Sequence, residues 1–169
     1  VILGLVTLVL VQFSDRTPAT PPPSGRASSQ ELRPAPDFLL ADYNGKTVRL
    51  TDFRGKAVVV NSWAAWCPFC REELKDFATA QEEFGDRVVI IAIDRAESLA
   101  VAKRYSDELG VTGRLLFLLD PGDSFYRSIG GFSMPETIFV DPEGRIRFHK
   151  RGPMQLPEVH ERIQELSAS

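Results

Sequence analysis

The sequence predicts an α/β fold with a mixed central sheet covered by helices on both faces, and three observations carry that prediction. Short apolar runs rich in β-branched residues alternate with segments of helical periodicity. Two of those runs, Ala57-Val58-Val59-Val60 and Val88-Val89-Ile90-Ile91-Ala92-Ile93, are continuous, as in strands buried on both faces. The pattern closes on a strand pair around Asp141-Pro142-Glu143-Gly144 and a last amphipathic helix. With 169 residues, 43% hydrophobic and 25% charged, the chain has the size of one domain and the material for one core. A net charge of −3 leaves no basic footprint for nucleic acid, so no such partner is expected.

Residues 1–13 are apolar except for Thr7 and Gln12. The chain begins on Val1 rather than Met, and is expected to be cut from a longer precursor. Crossing a bilayer takes about 20 apolar residues. The segment therefore reads as part of a membrane anchor or as the remnant of a signal peptide. No Ala-x-Ala motif follows Phe13, which favours the anchor. Residues 14–34, rich in Pro, Ser and Thr around Pro21-Pro22-Pro23, cannot bury enough apolar surface to offset their ordering entropy and read as a linker. The domain is expected over residues 35–169.

Within it, Asn44-Gly45 marks a turn between two short strands, the second being Thr47-Val48-Arg49-Leu50. The buried strand at residues 57–63 runs into Trp63-Ala64-Ala65-Trp66-Cys67-Pro68-Phe69-Cys70 and a helix over residues 71–84. Pro68 suits a first helical position, and Leu74, Phe77, Ala78 and Phe84 share one helix face before Gly85. After the strand at 88–93, a helix is expected over 97–109 with Leu99, Ala102, Tyr105 and Leu109 turned inward. A third apolar strand at 115–119, a short helix through Ile129, the closing hairpin and a helix from Pro157 complete the order.

The chain has two cysteines, Cys67 and Cys70, at a strand-to-helix junction. Unpaired N–H groups at a helix start carry partial positive charge and stabilise a thiolate. In a Cys-x-x-Cys pair they lower a thiol pKa from about 8.5 to roughly 3.5–7.5. Cys67, expected to be the more exposed, is the candidate nucleophile, and Cys70 the residue that resolves the mixed disulfide. A structural zinc site needs four ligands, but there is no second cysteine pair, and His149 and His160 lack His-x3-5-His spacing. Both histidines read as surface residues, and no metal ligands are assigned. A staple over so short a loop would constrain the unfolded chain little.

Val60-Asn61-Ser62-Trp63-Ala64-Ala65-Trp66-Cys67-Pro68-Phe69-Cys70, with Met134-Pro135-Glu136-Thr137 some 65 residues later, resembles the thioredoxin superfamily. In detail the chain is similar to its membrane-anchored, extracytoplasmic TlpA/ResA/DsbE group of thiol:disulfide oxidoreductases. Pro135-Glu136-Thr137 running into Asp141-Pro142-Glu143-Gly144, and Arg151-Gly152-Pro153, resemble the cytochrome c maturation members. The resemblance implies a thioredoxin fold with an N-terminal β-hairpin and a strand-helix insert at 88–110. It implies a cis Pro135 facing the cysteines and leaving the Met134 backbone free to pair with an extended substrate. Trp66, Pro68, Phe69, Met134 and Pro135 are the implied substrate contacts.

It also implies a monomer, tethered to a membrane on the extracytoplasmic side. No cofactor is expected beyond the Cys67-Cys70 disulfide. Electrons would come from a transmembrane thiol carrier and pass to protein disulfides, such as those of apocytochrome c. Thioredoxins carry a buried aspartate where this chain has Asn61, and an amide takes no proton at neutral pH. Glu73, three residues past Cys70, or Glu136, beside Pro135, is then the expected proton acceptor, whereas Glu72 reads as a solvated helix residue. The chain departs from the family's pattern at Ser62, Ala65 and Gly130-Gly131-Phe132-Ser133, where a Gly-Val step is usual. Two rival readings remain. Ala35-Pro36-Asp37-Phe38 also opens thiol peroxidases, although Ala64 stands where that family has Thr. A copper chaperone would need a third ligand.

Overall fold

The computed structural model describes residues 32–167. The predicted anchor and linker residues up to Glu31 lie outside the described residues. Arg33 and Pro34, read above as the end of the linker, pair with the closing hairpin. Ile146 N donates to Arg33 O at 2.9 Å, and Ala35 N to Gly144 O at 2.9 Å.

Seven strands form one mixed sheet. They are β1 (Leu39–Asp42), β2 (Thr47–Arg49), β3 (Ala57–Trp63), β4 (Val88–Arg95), β5 (Leu116–Asp120), β6 (Glu136–Val140) and β7 (Ile146–Arg151), in the spatial order β2-β1-β5-β4-β3-β6-β7. β3, β4 and β5 are mutually parallel, while β1, β6 and β7 pair antiparallel with their neighbours. The helices are α1 (Cys70–Phe84), α2 (Leu99–Glu108), α3 (Ser124–Ser128) and α4 (Leu156–Ser167). The sheet is the N-terminal hairpin, the strand-helix insert and the closing hairpin that the sequence leads one to expect. Among the described residues no helix is long and apolar enough to cross a membrane.

Side chains alternate across a strand, so each central strand feeds two cores. On one face Val59, Trp63, Ile90, Phe117 and Phe139 pack under α1, α2 and α4, together with Cys67 and Cys70. On the other, Val58, Val60, Ile91, Ile138 and Val140 pack with Phe125 and Ile129 of the α3 region and with Phe38, Leu40 and Leu50. The second face is thus covered by a five-residue helix and the N-terminal segment rather than by long helices.

Three local expectations change. α1 begins at Cys70, with Phe69 as its N-cap, so Pro68 lies in the turn between the cysteines and not in the helix. α2 begins at Leu99 because Ser98 caps it, its side chain accepting the N–H of Val101. Leu99 is left 42% exposed, and the buried positions of α2 are Ala102 and Ser106.

The departure at Gly131 has a steric cause. A Cβ built there would overlap the Tyr126 ring. That ring is held by the Arg95 guanidinium, 3.3 Å from its centroid, which is itself bound to Asp123 at 2.8 and 2.6 Å. Tyr126 Oη donates to Ser133 O at 2.8 Å, fixing the loop before Pro135. Gly131→Val is expected to destabilise the domain by about 1–3 kcal/mol through overpacking. Urea unfolding checks this, and the cost should shrink in a Tyr126→Ala background.

Candidate active site

β3 ends at Trp63, and the chain turns through residues 64–69 into α1. Trp63 anchors that turn from below: it is fully buried, stacks on Tyr105 at 5.6 Å and meets Phe117 edge-on at 5.7 Å. Cys67 N donates to Ala64 O at 3.1 Å and Cys70 N to Cys67 O at 3.3 Å. This tight winding brings the two Cα atoms to 5.4 Å, and the sulfurs are joined as a disulfide. Cys67 is 1% exposed and Cys70 fully buried, so Cys67 is the more exposed of the two only marginally and both sulfurs are buried in the oxidised form. The groups that are exposed beside the pair in the chain are Trp66 at 62% and Phe69 at 61%; Phe132, in the loop before Pro135, is 85% exposed.

The Met134–Pro135 peptide is cis, as the resemblance implies. Pro135 is buried, and Met134 packs against the core cluster that contains both cysteines. Pro135 O accepts the N–H of Gly152 at 2.9 Å.

Glu73 lies on the α1 face turned toward the sheet, 1% exposed. Its Oε2 accepts Asn61 Nδ2 at 2.9 Å and its Oε1 accepts Met154 N at 2.9 Å. Asn61 Nδ2 also donates to Thr137 Oγ1 at 3.0 Å. Burial outweighs these donors and pushes the Glu73 carboxyl up to about 8. Glu72, one residue earlier, points to solvent and pairs with Lys75, as expected of a surface residue.

Glu136 is equally buried but is not brought to the cysteines. On β6 it alternates with Thr137, whose hydroxyl meets Asn61. The Glu136 side chain therefore leaves the sheet on the Ile138 and Val140 side, opposite α1 and the disulfide. There its Oε2 accepts the N–H groups of Phe132 and Ser133 at 2.8 and 3.1 Å, and its Oε1 lies 2.6 Å from His149 Nε2 and 3.3 Å from Arg151 Nε. Its place in the structure is that of a clamp on the loop before Pro135. His149 is accordingly no free surface residue. Nor is His160, 2.7 Å from Glu83 and edge-on to Phe84.

An open groove of about 860 Å³ runs from Pro68 and Phe69, past Glu73, to Met154 and Leu156 at the start of α4. Its far wall is tied to α1 by the bond of Met154 to Glu73 and by Leu156 N to Asp76 Oδ2 at 3.0 Å. Sequence reasoning did not find Met154 as part of this site, because its bond to Glu73 spans 81 residues and no local motif announces it.

Fold and site together define a thiol:disulfide oxidoreductase of the thioredoxin type. The AhpC/TSA family matches residues 32–149, and the chain belongs to that family. Among its relatives, the thiol:disulfide interchange protein DsbE of Allochromatium vinosum is 36% identical over 80% of this chain and 75% of its own length. The thiol-disulfide oxidoreductase ResA of Bacillus subtilis is 30% identical over 82% of this chain and 76% of its own. The exposed lipoprotein thioredoxin Etrx1 of Streptococcus pneumoniae superposes with a TM-score of 0.69 at 30% identity, covering 77% of this chain and 99% of that one.

Proposed function

We propose that this protein reduces disulfides of other polypeptides on the extracytoplasmic side of a membrane, with the Cys-x-x-Cys-His haem-attachment site of apocytochrome c as substrate. The observation that supports it most is Glu73. This buried acid, with a pKa raised to about 8, lies one helical turn beyond Cys70 and on the same face of the sheet as the disulfide. It supplies a proton store where Asn61 cannot.

The cycle starts from the disulfide. A thiolate of the electron donor attacks Cys67 Sγ, the Cys67–Cys70 bond breaks, and Cys70 leaves with a proton from Glu73. A second donor thiolate then attacks the donor sulfur bound to Cys67, forming the donor's disulfide and releasing the Cys67 thiolate. In the forward half-reaction Cys67 attacks a substrate disulfide, one substrate sulfur leaves as thiolate, and a mixed disulfide forms. Cys70 gives its proton back to Glu73 and attacks Cys67 Sγ, which expels the second substrate sulfur and restores the disulfide. Two electrons pass to the substrate and no cofactor is needed beyond the cysteine pair.

Exposed Trp66 and Phe69, on either side of Cys67 in the chain, offer apolar contacts to a substrate, and the Met134 backbone before the cis proline would offer strand-like pairing to an extended peptide. The electron donor is a transmembrane thiol carrier, and the protein acts as a monomer tethered by its N-terminal segment. Two measurements test this reading. A reduction potential near about −270 mV fits a reductant, while one near about −120 mV would make the protein an oxidant. A disulfide-bonded apocytochrome c peptide should be reduced faster than insulin; equal rates would replace the proposed substrate by protein disulfides in general.

A further inference from the structure

β3 and β4 end side by side, Trp63 opposite Asp94, and the loops that follow them meet beside the active-site turn. The loop after β4 doubles back at Ala96, whose φ is 60° and whose N–H is held by Asp120 O at 3.1 Å. That turn places Glu97 N on Asp94 Oδ1 at 3.1 Å. It also carries the Glu97 carboxylate to Ala65, whose N–H Oε2 accepts at 2.8 Å. Ala65 is two residues before Cys67, and its neighbour Ala64 accepts the Cys67 N–H. A carboxylate from another loop thus grips the segment that carries the nucleophile.

Asp94 is fully buried, and its Oδ2 has no hydrogen-bond donor among the described residues. An ionised oxygen left so is costly, whereas a protonated one facing the Glu97 carboxylate is satisfied. Burial, and then Glu97, hold Asp94 above the usual carboxylate range. The other titratable groups around the pair are Asp120 on β5, Tyr43 between β1 and β2, and Tyr105 on α2, the last with Arg71 of α1 over its ring at 5.5 Å. None of them touches the Cys67–Cys70 chemistry described above.

We propose that Glu97, seated by a protonated Asp94, is a positioning residue for Cys67: the acid pair clamps the active-site turn through the Ala65 N–H, and its single proton governs how readily the Cys67 thiolate forms. Loss of that proton adds negative charge beside the turn, and a like charge disfavours a thiolate. Deprotonation of the pair and ionisation of Cys67 therefore oppose each other, and each reports on the other. This rests on Cys67 being the nucleophile, which loss of insulin reduction in Cys67→Ser and a trapped mixed disulfide in Cys70→Ser check separately.

The test uses the whole chain and follows two pH profiles, the ultraviolet absorbance of the Cys67 thiolate and the single-turnover reduction of insulin. The wild type should show a second inflection on the alkaline side of the Cys67 titration. Glu97→Gln keeps an acceptor for Ala65 but cannot hold the charge. It should lose that inflection and carry more Cys67 thiolate at the same pH. Asp94→Asn, a fixed imitation of the protonated acid, should lose the inflection too. Glu97→Ala also loses the bond to Ala65 and should be about tenfold slower than Glu97→Gln at every pH, the equivalent of one hydrogen bond. A second inflection that persists in Glu97→Gln, or a Glu97→Ala protein that matches the wild type in both profiles, overturns the proposal. Because Asp94 is buried and Glu97 half-exposed, the two Glu97 variants decide by themselves, whether or not Asp94→Asn folds.

Discussion

Replacing Cys67 by Ser should abolish disulfide exchange, with a loss of at least about a thousandfold, since a hydroxyl cannot replace the thiolate as nucleophile. Replacing Cys70 by Ser should instead stop the reaction halfway. Cys67 would still attack, but nothing would release the substrate, so a stable mixed disulfide would accumulate. Non-reducing electrophoresis and intact mass measure both outcomes. The fold should survive either change. Chain-entropy arithmetic gives a four-residue loop about 2 kcal/mol of stabilisation at most, and the surrounding core of Trp63, Leu74 and Phe77 does not depend on the sulfur bond. A Cys70→Ser protein that folds but traps no substrate would remove the proposed division of labour between the two sulfurs.

The second large effect is expected at Glu73, and it has two signatures of opposite sign. In catalysis, Glu73→Gln removes the group that exchanges a proton with Cys70. The resolving step should slow by about a hundredfold or more, and the pH dependence near 8 should vanish. In stability, the raised pKa means that the folded protein binds a proton more tightly than the unfolded chain. The contribution is complete below the ordinary carboxylate value of 4.5 and is lost as pH rises through about 8. Across that window wild-type stability should fall, by an amount on the order of 5 kcal/mol for the full shift. Glu73→Gln, neutral throughout, should lack the slope and become the more stable of the two at alkaline pH. Urea unfolding at several pH values measures this. Parallel pH profiles for the two proteins would mean that the carboxyl is not buried as described.

The bonds around Glu73 explain why these two signatures share one residue. Met154 N and Asn61 Nδ2 donate to its two oxygens, but burial dominates over both. The acid is therefore held in place by hydrogen bonds while remaining easy to protonate, which is the combination a proton store for Cys70 requires.

Sequence by itself determined the order of elements, the mixed sheet and the position of the two sulfurs. Those follow from residues near one another in the chain: β-branched runs, a 3.6-residue periodicity, turn residues, and two cysteines three positions apart at a strand-to-helix junction. It left Glu73 and Glu136 equivalent, because each is a glutamate beside a motif. The tertiary structure distinguished them by sheet face. α1 covers the side to which Asn61 and Thr137 point, and strand alternation sends Glu136 to the other. The same holds for the burial of Cys67, for the ring of Tyr126 behind Gly131, and for Glu97, which the sequence placed in a helix and the fold placed on Ala65. Which loops meet at the ends of parallel strands is settled by packing across the sheet, and no local pattern of residues encodes it.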